Sequence, residues 1–475
     1  MSPSVDPDPS EDTPRRLAAL LFALQACTQE RRGLEARLDR MRASLSWRLT
    51  APLRSLRARF WRRATVVAAP GLAPAQAGQA DTLVDPSRLL YGRLGLQAPA
   101  ASTGRLYVDV TELAREDYGG GVQRVVHRIL GEWLVAAPGF RVEPVRLAAD
   151  GGYVHAREFL ARMLGMPTGA AGRDLPIVPA AGDRFLGLDL TRDYAEPVEQ
   201  ALEALAAAGV RISIVVYDLL PLQHADWFPE GMHARFAAWL GMAGRRAHSL
   251  ICISRTVADD LPAALADLAP GAHPRIASFA LGADLETWVP PRTRLPPRRV
   301  GIPRWLMVGT VEPRKGHAQA LDAFERLWAG DSPVELLIAG RPGWCVESLL
   351  ARLVAHPERG KRLHWLADAD DADLVAAYRD SDVLLAASRG EGYGLPLVEA
   401  ATHGLPILAR DLPVFREVAG EGADYFAGED AGALVVAIQG WLKRHEAGAV
   451  TDPSCIRVHG WRECAAALSE ELRRD

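Results

Sequence analysis

Lysine is almost missing from this chain of 475 residues: Lys315, Lys361 and Lys443 stand against fifty-two arginines. Cysteine is scarce as well. Cys27, Cys252, Cys345, Cys455 and Cys464 lie far apart with no C-x-x-C spacing, which argues against a zinc site or a disulfide framework and for a reducing compartment. The apolar run Leu17–Leu24 is too short to span a bilayer, and the start MSPSVDPDPSEDT is acidic where a signal peptide would be basic. The expectation is a cytoplasmic protein with no membrane span. A formal net charge of −4 offers no global field to nucleic acid, so no nucleic-acid partner is expected. A D-x-D metal motif at a strand end is also lacking: DADDAD, Asp368–Asp373, precedes a helix and reads as a cap and solvated turn. No metal ligand and no required metal are therefore expected. The dinucleotide fingerprint is incomplete, since GEGYGL, Gly390–Leu395, has Leu395 where G-x-G-x-x-G needs its last glycine, which argues against a nicotinamide-dependent oxidoreductase.

What is present begins with a seven-residue repeat. Leu17, Leu24, Leu38 and Leu45 fall in one register, and Leu20, Cys27, Leu34 and Met41 in the other, with Arg31 the one break. This predicts a coiled coil over 17–45 and, through it, a homo-oligomer. The next segment, SWRLTAPLRSLRARFWRR, interleaves Trp47, Leu53, Phe60 and Trp61 with arginines; it suits either an anionic membrane surface or a solvated face packed on the body. Residues 64–103 are rich in Ala, Pro, Gly and Gln and read as a linker.

From about Arg105 short apolar runs (LYVDV, ISIVVYD, SLICIS) alternate with helical stretches at Val122–Ala136 and Val198–Ala208, the pattern of a parallel α/β sheet. The Pro/Arg segment Val289–Arg304 interrupts it, and a second α/β series follows with strands WLMVGT, VELLIAG, DVLLAAS and PILARD and helices starting near Gly316, Cys345, Asp371 and Leu395. The expected division is 1–63 helical and Arg-rich, 64–103 linker, 104–290 first Rossmann-like domain, 291–303 interdomain linker, 304–455 second Rossmann-like domain and 456–475 C-terminal helix. Two such domains imply a nucleotide-binding cleft between them.

Chemistry concentrates in SRGEGYGLPLVEAATHGLPI, Ser388–Ile407. A Gly-rich turn carrying Glu391 follows a strand, and a helix from Leu395 carries Glu399. Gly392 and Gly394 let backbone N–H groups approach an anion at that helix start, where the dipole also favours phosphate. VGTVEPRKGH, Val308–His317, again lies between strand and helix; with Gly309 opening the turn, it puts Arg314 and Lys315 where cations neutralise a diphosphate leaving group.

Together these residues resemble glycosyltransferase family 4, the retaining group 1 glycosyltransferases of GT-B fold. The resemblance covers roughly Arg105–Leu472 and rests on the E-x7-E pair Glu391 and Glu399, VGTVEPRKGH, HGLPI and PVFREVAG in the family's order. It implies an α/β GT-B fold, two Rossmann-like domains facing a cleft, preceded here by the helical coiled-coil extension. It implies that Glu391 meets donor-sugar hydroxyls, that Glu399 binds the ribose, that Arg314 and Lys315 hold the diphosphate, and that the Gly394 and Leu395 backbone completes the phosphate site.

In the first domain DYGGGVQRVVHRIL resembles the family's Gly-rich loop, with Gly120 and Gly121 leading into a helix. VVYDLLPLQHADWFP resembles its strand-end motif, with Asp218 facing the cleft. There the chain departs from many relatives, carrying Tyr217 where they have His.

The activity implied is a hexosyltransferase for surface-polysaccharide synthesis, with mannose from GDP-mannose first among donors and rhamnose or glucose donors behind it. The acceptor implied is a glycan or lipid-linked glycan at the inner face of the plasma membrane. Paired carboxylates also suit glycosidase chemistry, but placement beside a phosphate-type turn favours transfer. A noncatalytic scaffold assembled through the coiled coil is the reading of another class.

Overall fold

Parallel strands buried on both faces are made of near-continuous apolar runs, and in the first of them, Arg105–Asp109 (β1), Leu106, Tyr107 and Val108 are wholly buried. The computed structural model describes residues 104–474 apart from Tyr118 and residues 137–138, 164–172 and 285–293. The expected coiled coil, Arg-rich segment and 64–103 linker lie outside the described residues.

After β1 the chain forms α1 (Thr111–Arg115), α2 (Gly121–Val135), β2 (Arg141–Leu147), β3 (Tyr153–His155), α3 (Arg157–Met163), β4 (Arg184–Gly187), α4 (Ala195–Ala207), β5 (Arg211–Val216), α5 (Leu220–Gln223), α6 (Met232–Arg246), β6 (Ser249–Cys252), α7 (Arg255–Leu268) and β7 (Arg275–Ser278). The seven strands lie in the order β3-β2-β1-β4-β5-β6-β7, all parallel but for the antiparallel β2–β3 pair. Residues 104–156 and 174–474 belong to one compact unit, and α3 falls outside it.

The second series is β8 (Arg304–Val308), α8 (His317–Ala329), β9 (Glu335–Ala339), α9 (Glu347–Ala355), β10 (Leu363–Leu366), α10 (Asp371–Arg379), β11 (Val383–Ala386), α11 (Leu395–Thr402), β12 (Ile407–Arg410), α12 (Pro413–Ala419), β13 (Asp424–Phe426), α13 (Ala431–Glu446) and α14 (Trp461–Arg474). Its sheet is wholly parallel, in the order β10-β9-β8-β11-β12-β13. The strand order reverses between β8 and β11, and ligands of such sheets bind outside the carboxyl ends at that switch point. Both Ser388–Leu395 and Val308–His317 emerge there. The helices are held by apolar faces at helical spacing: α8 buries Ala320, Leu321, Phe324, Leu327 and Trp328 against Trp305, Ile338 and Trp441.

The observed strands are shorter than the apolar runs. β5 stops at Val216, so Tyr217 and Asp218 of ISIVVYD already belong to the loop at the sheet's carboxyl edge. The helix expected near Cys345 begins at Glu347, because Cys345 takes a left-handed φ of 55° that no helix continues. Asp370 caps α10 by accepting from Asp373 N at 2.9 Å, as the DADDAD reading expected.

The chain's last helix returns to the first sheet. Trp133 Nε1 of α2 donates to Ser469 Oγ of α14 at 2.8 Å, and Arg275 pairs with Glu471 at 2.7 Å. Gly282 is fitted to this crossing, since a Cβ there would lie 2.6 Å from Trp461 backbone atoms. Among the described residues no helix is long and apolar enough to cross a membrane.

Candidate functional site

Two loops at the carboxyl ends of β8 and β11 interlock. Gly316 takes a φ of 73°, and a Cβ on it would lie 2.2 Å from the Ala387 carbonyl oxygen, so only glycine lets the loops approach this closely. Arg389 N donates to Arg314 O across them at 2.7 Å. Glu391 is thereby set between two cations: Lys315 Nζ at 2.5 Å and Arg314 Nη1 at 2.8 Å. Arg314 also reaches Glu312 at 3.2 Å and donates to Gly390 O at 3.2 Å. Gly309, with φ at 131°, backs onto the Lys315 stem.

Burial alone would raise the Glu391 pKa, but the Lys315 and Arg314 charges outweigh it and hold the carboxyl at about 2. Burial also opposes the charge on Arg314, which Glu391, Glu312 and Asp218 more than restore. The group is therefore a fixed ionic triad at neutral pH, with two Lys315 N–H donors left beyond the one given to Glu391. Gly394 caps α11 in a left-handed conformation (φ 107°) over Phe415, and Leu395 opens the helix beside the triad.

Glu399 lies in the next turn of α11 with 2% of its surface exposed. Its Oε2 accepts from Tyr378 OH and its Oε1 from Arg124 Nη1 of α2, each at 2.6 Å. The second Arg124 nitrogen reaches Asp371 at 3.2 Å, and Arg128 reaches the same carboxylate at 3.4 Å. A second close approach joins the halves at Gly392, where a Cβ would stand 1.9 Å from Tyr217 O and 3.1 Å from Asp218 Cβ. Asp218 thus faces the triad. Burial raises its pKa, with the Arg314 charge acting against that.

The Gly-rich loop sits at the carboxyl edge of the first sheet. Gly119, at φ 60°, is pressed against Arg341 from the loop after β9, while Gly120, the cap of α2, and Gly121 face open space. His224 stacks on Trp227 with ring centroids 3.8 Å apart. Tyr217 is buried and donates its hydroxyl to Leu188 O at 2.7 Å, and burial pushes its pKa well up. It supplies no titrating group to the site. Tyr217→Phe is accordingly expected to keep kcat within about threefold of wild type and to cost about 1 kcal/mol of stability for the lost hydrogen bond, read by steady-state assay and urea unfolding.

The structure places the expected site residues beyond the carboxyl ends of the strands of one sheet or the other. It brings Glu391, Arg314, Lys315, Asp218 and Gly392 into one group, with Gly309, Gly394 and Leu395 around it. Glu399 is joined instead to Arg124, one turn along α2 from Gly120 and Gly121. Sequence reasoning missed Arg124, Glu312, Tyr378 and Arg341, and a buried acid pair in the first half. Asp109 accepts from Thr111 and from Tyr153 OH, while Asp189 accepts from Leu113 N at 2.7 Å. A single acid ending each apolar run, YVDV and LGLDL, was their signal.

Burial raises Asp109 to about 6, against the pull of Thr111 and Tyr153, and Asp189 to about 7, with Asp109 adding to the rise. Stability from a carboxyl whose folded pKa is raised is fully present below the ordinary value of 3.8 and is lost as pH rises through 6 to 7. Asn at 109 can still accept from Thr111 and can donate to the Tyr153 oxygen. Asp109→Asn is therefore expected to match wild type at pH 3 and to exceed it by about 2–3 kcal/mol at pH 8 in paired unfolding curves.

Comparison with known proteins finds a family model over these loops. Residues 298–449 match the family model for glycosyl transferases group 1. The chain is 37% identical over 398 residues to a serotype-specific mannosyltransferase, WbdA, of Escherichia coli, covering 80% of this chain and 48% of that protein. It is 33% identical over 184 residues to a phosphatidyl-myo-inositol mannosyltransferase of Mycobacterium leprae, covering 36% and 48%. The chain thus spans about half the length of these curated relatives. Among solved structures it is similar to Anabaena HepE in complex with UDP, at TM-score 0.50 and 15% identity, covering 78% of this chain and 95% of that one. It is also similar to sucrose-phosphate synthase from Thermosynechococcus elongatus, at TM-score 0.52 and 18% identity, covering 78% and 98%. The fold is GT-B.

Proposed function

From a chain whose residues 298–449 match the family model for glycosyl transferases group 1, we propose a retaining hexosyltransferase that moves mannose from GDP-mannose to a glycan or lipid-linked glycan in surface-polysaccharide synthesis. The observation that carries this reading is the Lys315–Glu391–Arg314 triad at the switch point between β8 and β11. A nucleotide sugar brings its own leaving group, so catalysis consists mainly of orienting the donor and stabilising the departing diphosphate. Lys315, Arg314 and the α11 start at Gly394 and Leu395 supply positive potential there, Glu391 orients the two cations and meets the sugar, and Glu399 takes the ribose. Gly120 and Gly121 leave room for donor or acceptor from the other side, and Asp218 faces the reacting group.

Positive charge at the leaving group comes from side chains, so the reaction is proposed to need no metal. The mannose assignment leans on the two mannosyltransferase relatives, and the proposed location is the cytoplasm, at the inner face of the plasma membrane. The test is thermal stabilisation of the full chain by a panel of nucleotides and nucleotide sugars in EDTA, followed by anomeric analysis of the product. A shift with one diphosphonucleotide, strongest for GDP compounds and reduced in Glu399→Ala, is expected. No shift with any nucleotide would overturn the enzyme reading in favour of a scaffold.

A further inference from the structure

The carboxylate assigned to the ribose is already engaged. Glu399 is buried, with Tyr378 OH on one oxygen and Arg124 Nη1 on the other, each at 2.6 Å. Each oxygen keeps a further lone pair, but with 2% of its surface exposed the carboxylate is closed to a ligand while Arg124 covers it, so a donor seated on Glu399 must unseat Arg124. Two features make that release easy. Asp371, the second carboxylate held by Arg124, keeps Arg128 at 3.4 Å when Arg124 leaves, so no acid is orphaned there. The Arg124 side chain keeps 22% of its surface exposed, against 3% for its Glu399 partner, so it has a solvent-facing path.

Where the guanidinium goes follows from its place on α2. Arg124 stands in the first turn, its N–H bonded to Gly120 O at 2.9 Å. Gly120 and Gly121 beside it meet nothing within 4 Å on their open side. A helix start with open glycines and a freed guanidinium is a place for phosphate oxygens, which Arg binds with two parallel N–H donors.

We infer that Arg124 is a positioning residue that exchanges partners on donor binding, leaving the Glu399 carboxylate to the ribose and taking up a diphosphate oxygen. The inference rests on the nucleotide-sugar reading above. The exchange gives up the Arg124 pairs with Glu399 and Asp371 for two external contacts, and only a ligand carrying both ribose and phosphate makes both. A nucleoside competes with Arg124 and gains nothing from it. A nucleoside diphosphate removes the competitor and uses it.

The two ligands therefore respond to Arg124 with opposite sign. The test is calorimetric titration of the full-length wild type, Arg124→Ala and Arg124→Gln with guanosine, GDP, uridine and UDP. Arg124→Gln keeps a neutral donor toward Glu399 and serves if the alanine variant does not fold. For the preferred base, nucleoside affinity is expected to rise by about threefold or more as the blocking state is removed. Diphosphate affinity is expected to fall by roughly ten- to a hundredfold as a charge-assisted contact is lost. Loss of both affinities together would mark Arg124 as structural, and no change in either would mark it as idle; both overturn the exchange. Wild type binding none of the four would instead overturn the nucleotide reading itself, and the exchange with it.

Discussion

Gly392→Ala is expected to lower kcat/KM by at least about a hundredfold and to lower the melting temperature as well. The added Cβ would lie 1.9 Å from Tyr217 O, 3.0 Å from Tyr217 C and 3.1 Å from Asp218 Cβ. Two of these are backbone atoms, so no rotamer change relieves the overlap, and the Ser388–Gly394 loop must withdraw by an ångström or more. Glu391 is the neighbouring residue, and its two ionic contacts are at 2.5 and 2.8 Å. A displacement of that size takes it off both cations and moves the α11 start, and misplacement by 1 Å at a reacting centre costs about a hundredfold. Stability falls too, because Gly392 is buried and the displaced loop leaves the Arg314 and Lys315 charges without their partner. Gly120→Ala is the control: its Cβ meets nothing within 4 Å and its φ is −72°, so the unliganded protein tolerates it. Wild-type turnover in Gly392→Ala would show that the halves work farther apart than the structure holds them.

The residues of that loop were legible because their signals are local. Ser388–Leu395 and Val308–His317 each follow an apolar run and lead into a helix, and the glycines mark the turns. The pairing of Glu391 with Lys315 and Arg314 was not legible, because 76 positions separate Lys315 from Glu391 and only the folded sheet brings the two loops together. Arg124 was not legible: 275 positions separate it from Glu399, and in GVQRVVHRIL it reads as one more arginine on an amphipathic helix. Tyr378 in DLVAAYR reads as a core aromatic, which it is, and nothing local says that its hydroxyl ends on Glu399. The strand RVEPVRL was missed because proline and three charged residues break its apolar pattern; tertiary partners decide its place, Glu143 being buried beside Arg141 at 2.9 Å and His155 at 3.3 Å. Local chemistry predicts loops well and says little about what a folded chain lays against them.

The triad makes a second large prediction, in which its two halves act in opposite directions on the same ligand. Lys315→Ala removes a cation from the leaving group and is expected to lower kcat by roughly a hundred- to a thousandfold, as loss of one preorganised donor does. It also leaves Glu391 against the incoming phosphates with only Arg314 to balance it, so nucleoside diphosphate binds more weakly. Glu391→Gln keeps the shape and removes the charge that neutralises Lys315 and Arg314. Those cations then face the diphosphate unopposed, and its affinity is expected to rise by about tenfold while turnover falls, because Lys315 and Arg314 are no longer held by a charged partner and the product leaves slowly.

The pH dependence separates the roles further. Glu391 is held at about 2, below its ordinary 4.5, so the stability it contributes is present above 4.5 and is lost only as pH falls through about 2. An acid limb in kcat above pH 4 therefore belongs to another group. The half-buried Asp218, whose pKa burial raises, stands beside the triad to supply it. Asp218→Asn should then remove that limb, whereas Glu391→Gln should leave its midpoint in place on a lower plateau. A limb that follows Glu391 instead would mean that the triad opens during turnover and exposes its carboxylate to protons.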